Sequence, residues 1–282
     1  MRARAAGRYD DVARASAAVV IERYSTSFGW ATRLLAEPVR THVRCIYALV
    51  RVADELVDDV DLAWGTEQRA ALLDAMEEDT RRALEIGGSP NLVVHAFART
   101  AAQHGIGWEL VGPFFDSMRA DLDVAVHDPA SFETYVYGSA EVVGLMCLRV
   151  FVGGDQARYD RLTPGARALG AAFQKLNFLR DLADDHGARG RDYFPGVDPA
   201  RLTDERRDEL LDDIDADLAT AAAVIPELPP SSRRAVQAAH DLFAALSVRL
   251  RRTPGAEIAT RRVRVPDPVK AVVLARCLVG RR

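Results

Sequence analysis

Two pairs of aspartates, far apart in the chain, each lie in an otherwise apolar stretch with helical spacing. Asp54 and Asp58 form the first pair, and Asp181 and Asp185 form the second. Residues four apart project from the same face of a helix, so each pair would present two carboxylates side by side. Neighbouring carboxylates repel, and their burial is costly unless cations compensate them. A fold of this chain must therefore expose both pairs to water or gather them around cations in an internal cavity.

The polar face of each predicted helix extends beyond its acids. Tyr47 and Arg51 precede the first pair at helical spacing, and Gln174 and Asn177 precede the second. For one helix alone, a solvated outer face would be the expected interpretation. Two matching helices favour a shared polar cavity instead. Because Mg²⁺ is usually held by carboxylates together with substrate phosphate oxygens, the pattern predicts a magnesium site that binds a diphosphate.

Helical periodicity dominates the rest of the sequence, and alternating strand patterns are nearly absent. Glycine and proline clusters separate segments of helical length, and Ser89-Pro90, Asp128-Pro129 and Thr163-Pro164 are predicted to begin helices. The sequence shows no linker, no internal repeat and no low-complexity tract. We therefore expect one all-α domain over residues 1–282, built as a single helical bundle around a central cavity.

Composition excludes several classes of function. The 282 residues carry a net charge of −4, so the chain lacks the excess of positive charge that is typical of nucleic-acid-binding proteins. The three cysteines, Cys45, Cys147 and Cys277, are isolated and form neither a disulfide framework nor a zinc spacing. The N-terminus lacks the apolar core of a signal peptide, and we expect no run to be long and apolar enough to span a bilayer. These features predict a cytoplasmic enzyme.

Four stretches together resemble the squalene and phytoene synthase family of isoprenyl diphosphate synthases. Within that family, their sequences are most similar to those of the bacterial phytoene synthases. They are residues 24–30, 47–59, 135–146 and 172–195, with a weaker match at residues 264–270. The resemblance implies the isoprenoid synthase fold. It also implies a prenyltransferase that uses Mg²⁺, or Mn²⁺, to ionise an allylic isoprenyl diphosphate.

The resemblance implies three groups of site residues. The metal ligands would be Asp54, Asp58, Asn177, Asp181 and Asp185. The catalytic residues would be Arg51 at the diphosphate oxygens, with Tyr47 and Tyr135 near the developing cation. The remaining substrate-binding residues would be Ser25, Ser27, Phe28, Gln174, Arg191 and Tyr193. Of these, Arg191 and Tyr193 would help to close the site over the diphosphate.

Structural alternatives stay open for some of these residues. Ser25 and Ser27 could cap a helix, and Tyr135 could be a core aromatic whose hydroxyl is satisfied. Arg51 could form a surface pair with Glu55.

Five further positions raise separate questions. Asp121 and Asp123 are expected to have a helix-end role rather than to bind metal. Glu141 could face either the substrate channel or solvent, and Lys175 has no predicted role. Thr32 is small, which leaves room for a longer prenyl chain if its helix lines the cavity.

Three functions remain compatible with the sequence. The first is head-to-head condensation of two geranylgeranyl diphosphates to phytoene, or of farnesyl diphosphate to presqualene diphosphate or a squalene-type product. The second is transfer of a short prenyl group, such as dimethylallyl, to an aromatic acceptor. The third is a non-catalytic helical scaffold. Peripheral membrane contact fits the lipid products, and the sequence leaves open whether the chain is a monomer or a homodimer.

Overall fold

The computed structural model describes residues 7–24, 27–58 and 63–279, without the side chains at positions 27, 28, 188, 189, 274 and 277–279. The first seven α-helices are α1 Arg8–Tyr24, α2 Ser27–Thr32, α3 Val39–Asp58, α4 Thr66–Ile86, α5 Leu92–His104, α6 Trp108–Asp123 and α7 Pro129–Val136. The others are α8 Val142–Val152, α9 Gln156–Asp184, α10 Asp204–Val224, α11 Pro230–Arg251, α12 Gly255–Ile258 and α13 Asp267–Val279. Within the described residues, β pairing is limited to one isolated bridge between Val126 and Asp192. The all-α prediction is confirmed.

The two helices that carry Asp54, Asp58 and Asp181 pack against several neighbours each. Helix α3 packs against α1, α5, α6 and α8, and α9 packs against α8, α10 and α11. Apolar residues of α3 recur at helical spacing, and Ile46, Leu49 and Ala53 are fully buried. On α9, Leu176 and Leu179 are fully buried in a second cluster. Burial of one face holds each helix in place and leaves its polar face for the site.

The predicted helix starts are confirmed at one proline and wrong at two. Asp128 caps α7 as predicted, because its Oδ1 accepts a hydrogen bond of 2.7 Å from the Ser131 backbone N–H. Helix α5 begins after Asn91, whose side chain accepts from two backbone N–H groups, and not after Ser89. Helix α9 begins at Gln156 and continues through Pro164.

Helix α9 tolerates Pro164 because of where that residue lies. A proline inside a helix leaves the carbonyl four residues earlier without its N–H partner. Both Pro164 and Asp160 are exposed, so water can reach that carbonyl.

Among the described residues, one helical run is long and apolar enough to cross a membrane. Helix α7, a π-helical turn at Tyr137–Glu141 and α8 form a continuous run of 24 residues, Pro129–Val152. The expectation that no run would qualify is therefore wrong by the measures of length and composition. A buried core helix satisfies the same two measures. Just under half of the most apolar part of this run is buried within the fold.

Close packing in the π-helical turn requires glycine at position 138. A Cβ atom added to Gly138 would lie 2.1 Å from the Pro113 carbonyl oxygen and 2.2 Å from Ser117 Oγ. We expect Gly138→Ala to destabilise the protein by about 1–3 kcal/mol, because the backbone of α6 would have to move. Thermal unfolding would show this as a fall in Tm of several degrees. Gly187→Ala is the control, since Gly187 also lies in a π-helical turn and nothing lies within 4 Å of the added Cβ. Equal Tm values for the two variants would contradict the prediction.

Candidate active site

A cavity of about 830 Å³ lies between α3, α8, α9 and α11. Most of its wall is apolar. Helices α3 and α8 contribute Ile46, Val50, Val143, Leu148 and Phe151, while α9 and α11 contribute Leu162, Leu169, Phe173, Val236 and Leu242. The small residue Thr32 of α2 also lines the cavity and is buried. The cavity can therefore enclose a long hydrocarbon chain away from water.

The charged residues of the cavity wall are mostly cationic. Within the described lining, the only carboxylate is Asp54, and the five cations are Arg51, Arg180, Arg262, Arg264 and Lys270. Asp54 and Arg51 belong to the C-terminal half of α3, and Arg180 belongs to the last turns of α9. Arg262 and Arg264 lie in the segment that connects α12 to α13. Such an excess of positive charge beside an apolar cavity suits a ligand with an anionic head and an apolar tail.

Helix α3, which carries the first aspartate pair, presents Tyr47, Arg51 and Asp54 to the cavity. Arg51 Nη1 donates a hydrogen bond of 2.7 Å to Asp54 Oδ2, and Arg51 Nη2 also donates to Glu55. The Arg51 guanidinium lies 5.0 Å from the centre of the Tyr24 ring. Arg51 therefore both lines the cavity and forms the pair with Glu55 that sequence analysis left as its alternative.

Helix α9, which carries Asp181, presents Gln174 and Asn177 to the cavity. Asn177 Oδ1 is buried and has no hydrogen-bond partner among the described residues. Asp181 lies outside the lining, and both of its carboxylate oxygens accept hydrogen bonds from arginines. Arg180 donates through Nε at 2.9 Å and Nη2 at 2.5 Å, and Arg262 Nε lies 2.8 Å from Asp181 Oδ1. The structure therefore holds Asp181 as an arginine-paired carboxylate at the edge of the cavity.

Arg191 contacts the end of α3 rather than the cavity. Its Nη1 donates to Asp58 Oδ1 at 2.5 Å, and its Nη2 donates to the Val57 carbonyl oxygen at 3.1 Å. Neither Arg191 nor Asp58 belongs to the cavity lining. The contact joins the C-terminal end of α3 to the segment that follows α9, so it links the two predicted metal-binding regions.

Tyr135 and Tyr193 also lie outside the lining, in a buried network around Asp121. Tyr135 Oη donates to Asp121 Oδ2 at 2.7 Å, and Tyr193 Oη donates to Asp121 Oδ1 at 3.0 Å. The ring of Tyr193 stacks on Phe178 with 3.8 Å between the ring centres. Tyr135 thus matches its structural alternative, a core aromatic with a satisfied hydroxyl. Burial raises the pKa of Asp121 to about 7 and raises the pKa of Tyr135 well above its ordinary value.

The remaining predicted site residues are less completely described. Asp185 is buried at the start of a second π-helical turn, Asp185–Arg189, and its backbone carbonyl accepts from the Arg191 N–H at 3.1 Å. Ser25 lies outside the described residues, as do the side chains of Ser27 and Phe28. Their predicted contacts with diphosphate stay predictions.

Two residues with open roles form salt bridges between helices. Glu141 pairs with Arg167 of α9 at 2.5 Å and does not line the cavity. Lys175 of α9 pairs with Asp213 and Asp217 of α10, at 2.6 and 2.8 Å. The ion pairs of Lys175 show that Asp213 and Asp217 of α10 face α9 and not only water.

The donor set fits Mg²⁺, although the aspartates are not gathered at one point. No three His, Cys, Asp or Glu side chains in residues 7–24, 27–58 and 63–279 are close enough together to hold a metal ion. The unpartnered Oδ1 of Asn177 nevertheless offers a neutral oxygen for a metal ion in the cavity wall, one helical turn before Asp181. Carboxylate and amide oxygens are the ligands that Mg²⁺ prefers.

Sequence analysis did not identify Arg180 and Arg262 as site residues. Arg180 follows Asn177 by three positions, so helical spacing is a signal that could have placed it on the same face of α9. Arg262 lies in a non-helical segment, where no periodicity applies. The signal that could have found Arg262 is the alternation of arginine and valine in residues 261–265, directly before a proline.

Comparisons with known proteins agree with this architecture. The family model for squalene/phytoene synthase matches residues 21–268. A 15-cis-phytoene synthase of Paracoccus sp. (strain N81106 / MBIC 01143) is 30% identical over 279 aligned positions, which cover 90% of this chain and 87% of the relative. A solved dehydrosqualene synthase superposes with a TM-score of 0.82 at 20% identity, covering 96% of both chains. A squalene synthase from Alicyclobacillus acidocaldarius gives a TM-score of 0.75 at 22% identity, covering 88% of this chain and 96% of that structure. The chain has the isoprenoid synthase fold and belongs to the squalene/phytoene synthase family of prenyltransferases.

Proposed function

We propose that this chain catalyses the Mg²⁺-dependent head-to-head condensation of two geranylgeranyl diphosphates to phytoene. The observation that carries the proposal is one cavity whose described wall combines five cationic side chains with a mostly apolar lining. Its volume of about 830 Å³ lies in the upper part of the range of about 300–1,000 Å³ that is usual for ligand pockets. The Paracoccus relative, a 15-cis-phytoene synthase, supports the choice of product.

The cationic side chains would recognise the diphosphates. Arg51, Arg180, Arg262 and Arg264 offer planar guanidinium groups that donate two hydrogen bonds to phosphate oxygens. The metal would be held by Asp54, Asp58, Asn177, Asp181 and Asp185. When bound, Mg²⁺ supplies positive charge that stabilises the diphosphate as it leaves. Arginines that now pair with Asp54 and Asp181 would then be available for phosphate oxygens.

The apolar lining would protect the carbocation. Breaking the C–O bond sends the electron pair to the departing diphosphate and leaves an allylic cation. This cation alkylates the C2=C3 bond of the second substrate, and loss of a proton gives a cyclopropyl diphosphate. Loss of the second diphosphate, rearrangement and loss of another proton give phytoene. The apolar wall excludes water that would trap the cation, and Tyr47 offers an aromatic face near Asp54.

A product assay tests this proposal directly. Purified protein with Mg²⁺ would receive dimethylallyl, farnesyl or geranylgeranyl diphosphate, each alone, and extracted products would be identified by mass spectrometry. We expect phytoene from the C20 donor alone. If farnesyl diphosphate gives a C30 product and the C20 donor gives no phytoene, the proposed donor is wrong and farnesyl diphosphate is the donor. If no donor reacts alone but an aromatic co-substrate is prenylated, the head-to-head reaction is wrong.

A further inference from the structure

A buried carboxylate, Asp121, lies at the centre of a polar network that the proposed reaction does not use. Its side chain is only 3% exposed. It accepts hydrogen bonds from Tyr135 of α7 and from Tyr193 of the segment after α9. Asp121 itself belongs to the last turn of α6. Three separate parts of the chain therefore converge on this carboxylate, which is more than a helix-end role requires.

The network reaches the predicted metal site through Arg191. Tyr193 Oη accepts a hydrogen bond of 3.2 Å from Arg191 Nη1, and the same nitrogen lies 3.5 Å from Asp121 Oδ1. On its other side Arg191 donates to Asp58 at 2.5 Å. The guanidinium is buried between two carboxylates, one in the network and one at the end of α3. A buried charge with partners on both sides has little freedom to turn.

Arg191 also contacts the backbone of the last turn of α3. The last four carbonyl groups of a helix have no partner within it, and Val57 carries one of them in α3. Arg191 Nη2 donates to this carbonyl at 3.1 Å and brings a positive charge to the helix C-terminus. The same guanidinium thus fixes both the backbone before Asp58 and one oxygen of its carboxylate.

We propose that Asp121 is a positioning residue for the predicted metal site, because it holds Arg191 and Tyr193 so that Arg191 orients Asp58. The inference rests on the proposed function, since it takes Asp58 as a metal ligand. Partners that orient metal ligands through hydrogen bonds usually affect metal affinity strongly. A network with a purely structural role would instead change thermal stability and leave metal affinity unaltered.

The test compares three variants of the full chain. Asp121→Asn removes the central charge, and Tyr193→Phe removes the bridging hydroxyl but keeps the ring that stacks on Phe178. Asp123→Asn is the matched control, because Asp123 lies in the same last turn of α6 and is exposed. Mn²⁺ binding in the presence of inorganic pyrophosphate would be measured by electron paramagnetic resonance. Tm, and KM for geranylgeranyl diphosphate at saturating Mg²⁺, would be recorded for each protein.

We expect Asp121→Asn to weaken Mn²⁺ binding by about 10–100-fold, with a smaller loss for Tyr193→Phe and none for Asp123→Asn. At saturating Mg²⁺ the KM of Asp121→Asn should stay at the parent value. Unchanged Mn²⁺ affinity in Asp121→Asn, with or without a lower Tm, overturns the inference but not the proposed function. If Asp121→Asn does not fold, unchanged affinity in Tyr193→Phe overturns it. A parent protein that binds no Mn²⁺ overturns both the inference and the proposed metal site.

Discussion

Replacing Asp54 with alanine is expected to lower the rate of phytoene formation by about 10²–10³-fold or more, because an electrostatic partner of the leaving group would be lost. Asp54 is the carboxylate in the described cavity lining, and it lies beside Arg51 at 2.7 Å. Initial rates with geranylgeranyl diphosphate and saturating Mg²⁺ would measure the effect. Circular dichroism and Tm would show that the variant is folded.

Glu55→Gln is the matched control for Asp54→Ala. Glu55 is the next residue of α3, also pairs with Arg51, and does not line the cavity. If activity depended only on holding Arg51 in place, the two variants would lose similar activity. We expect Glu55→Gln to keep at least a tenth of the parent rate. An Asp54→Ala variant that keeps more than a tenth of the parent rate would contradict the predicted role of this acid.

Replacing Thr32 with phenylalanine is expected to reduce phytoene formation by about 10–100-fold, because a site that must accommodate extra methylene groups discriminates by about that factor. Thr32 lines the cavity, is 3% exposed and donates a hydrogen bond of 2.9 Å to the Gly29 carbonyl. A phenyl ring would occupy space that the end of a C20 chain needs. Farnesyl diphosphate, which is five carbons shorter, should be less affected. Mass spectrometry of products from each donor would give the ratio of C40 to C30.

Thr32→Val is the control for Thr32→Phe, since it removes the hydroxyl at nearly constant volume. We expect this variant to keep the product ratio of the parent protein. If Thr32→Val and Thr32→Phe reduce phytoene formation equally, the hydrogen bond to Gly29 matters rather than the space. If Thr32→Phe leaves the C40 to C30 ratio unchanged, α2 does not limit the length of the bound chain.

Local patterns predicted five of the polar residues that line the cavity. Tyr47, Arg51 and Asp54 were placed on one face by helical spacing, and all three line the cavity. Gln174 and Asn177 were placed in the same way on α9, with the same result. Spacing along a helix is a property of a short segment, so sequence suffices to define which side chains share a face.

Partners that come from distant segments were not predictable in the same way. Helical spacing predicts that Asp181 lies on the polar face of α9. It does not predict that Arg262, from the segment before α13, forms an ion pair with Asp181. Arg191 was expected over the diphosphate, and the structure places it on Asp58. Ion pairs between distant segments depend on how the helices pack, because a long side chain can reach any opposite charge nearby.

The sequence by itself determined the all-α class, the family and the two polar faces, because these follow from periodicity and from motifs within single segments. Only the tertiary structure decided that α9 runs through Pro164 and that Glu141 and Lys175 form salt bridges between helices. It also decided that Asp121 is buried at the centre of a network. Burial and charge pairing arise when helices pack against each other, and that packing is set by contacts between residues far apart in the chain.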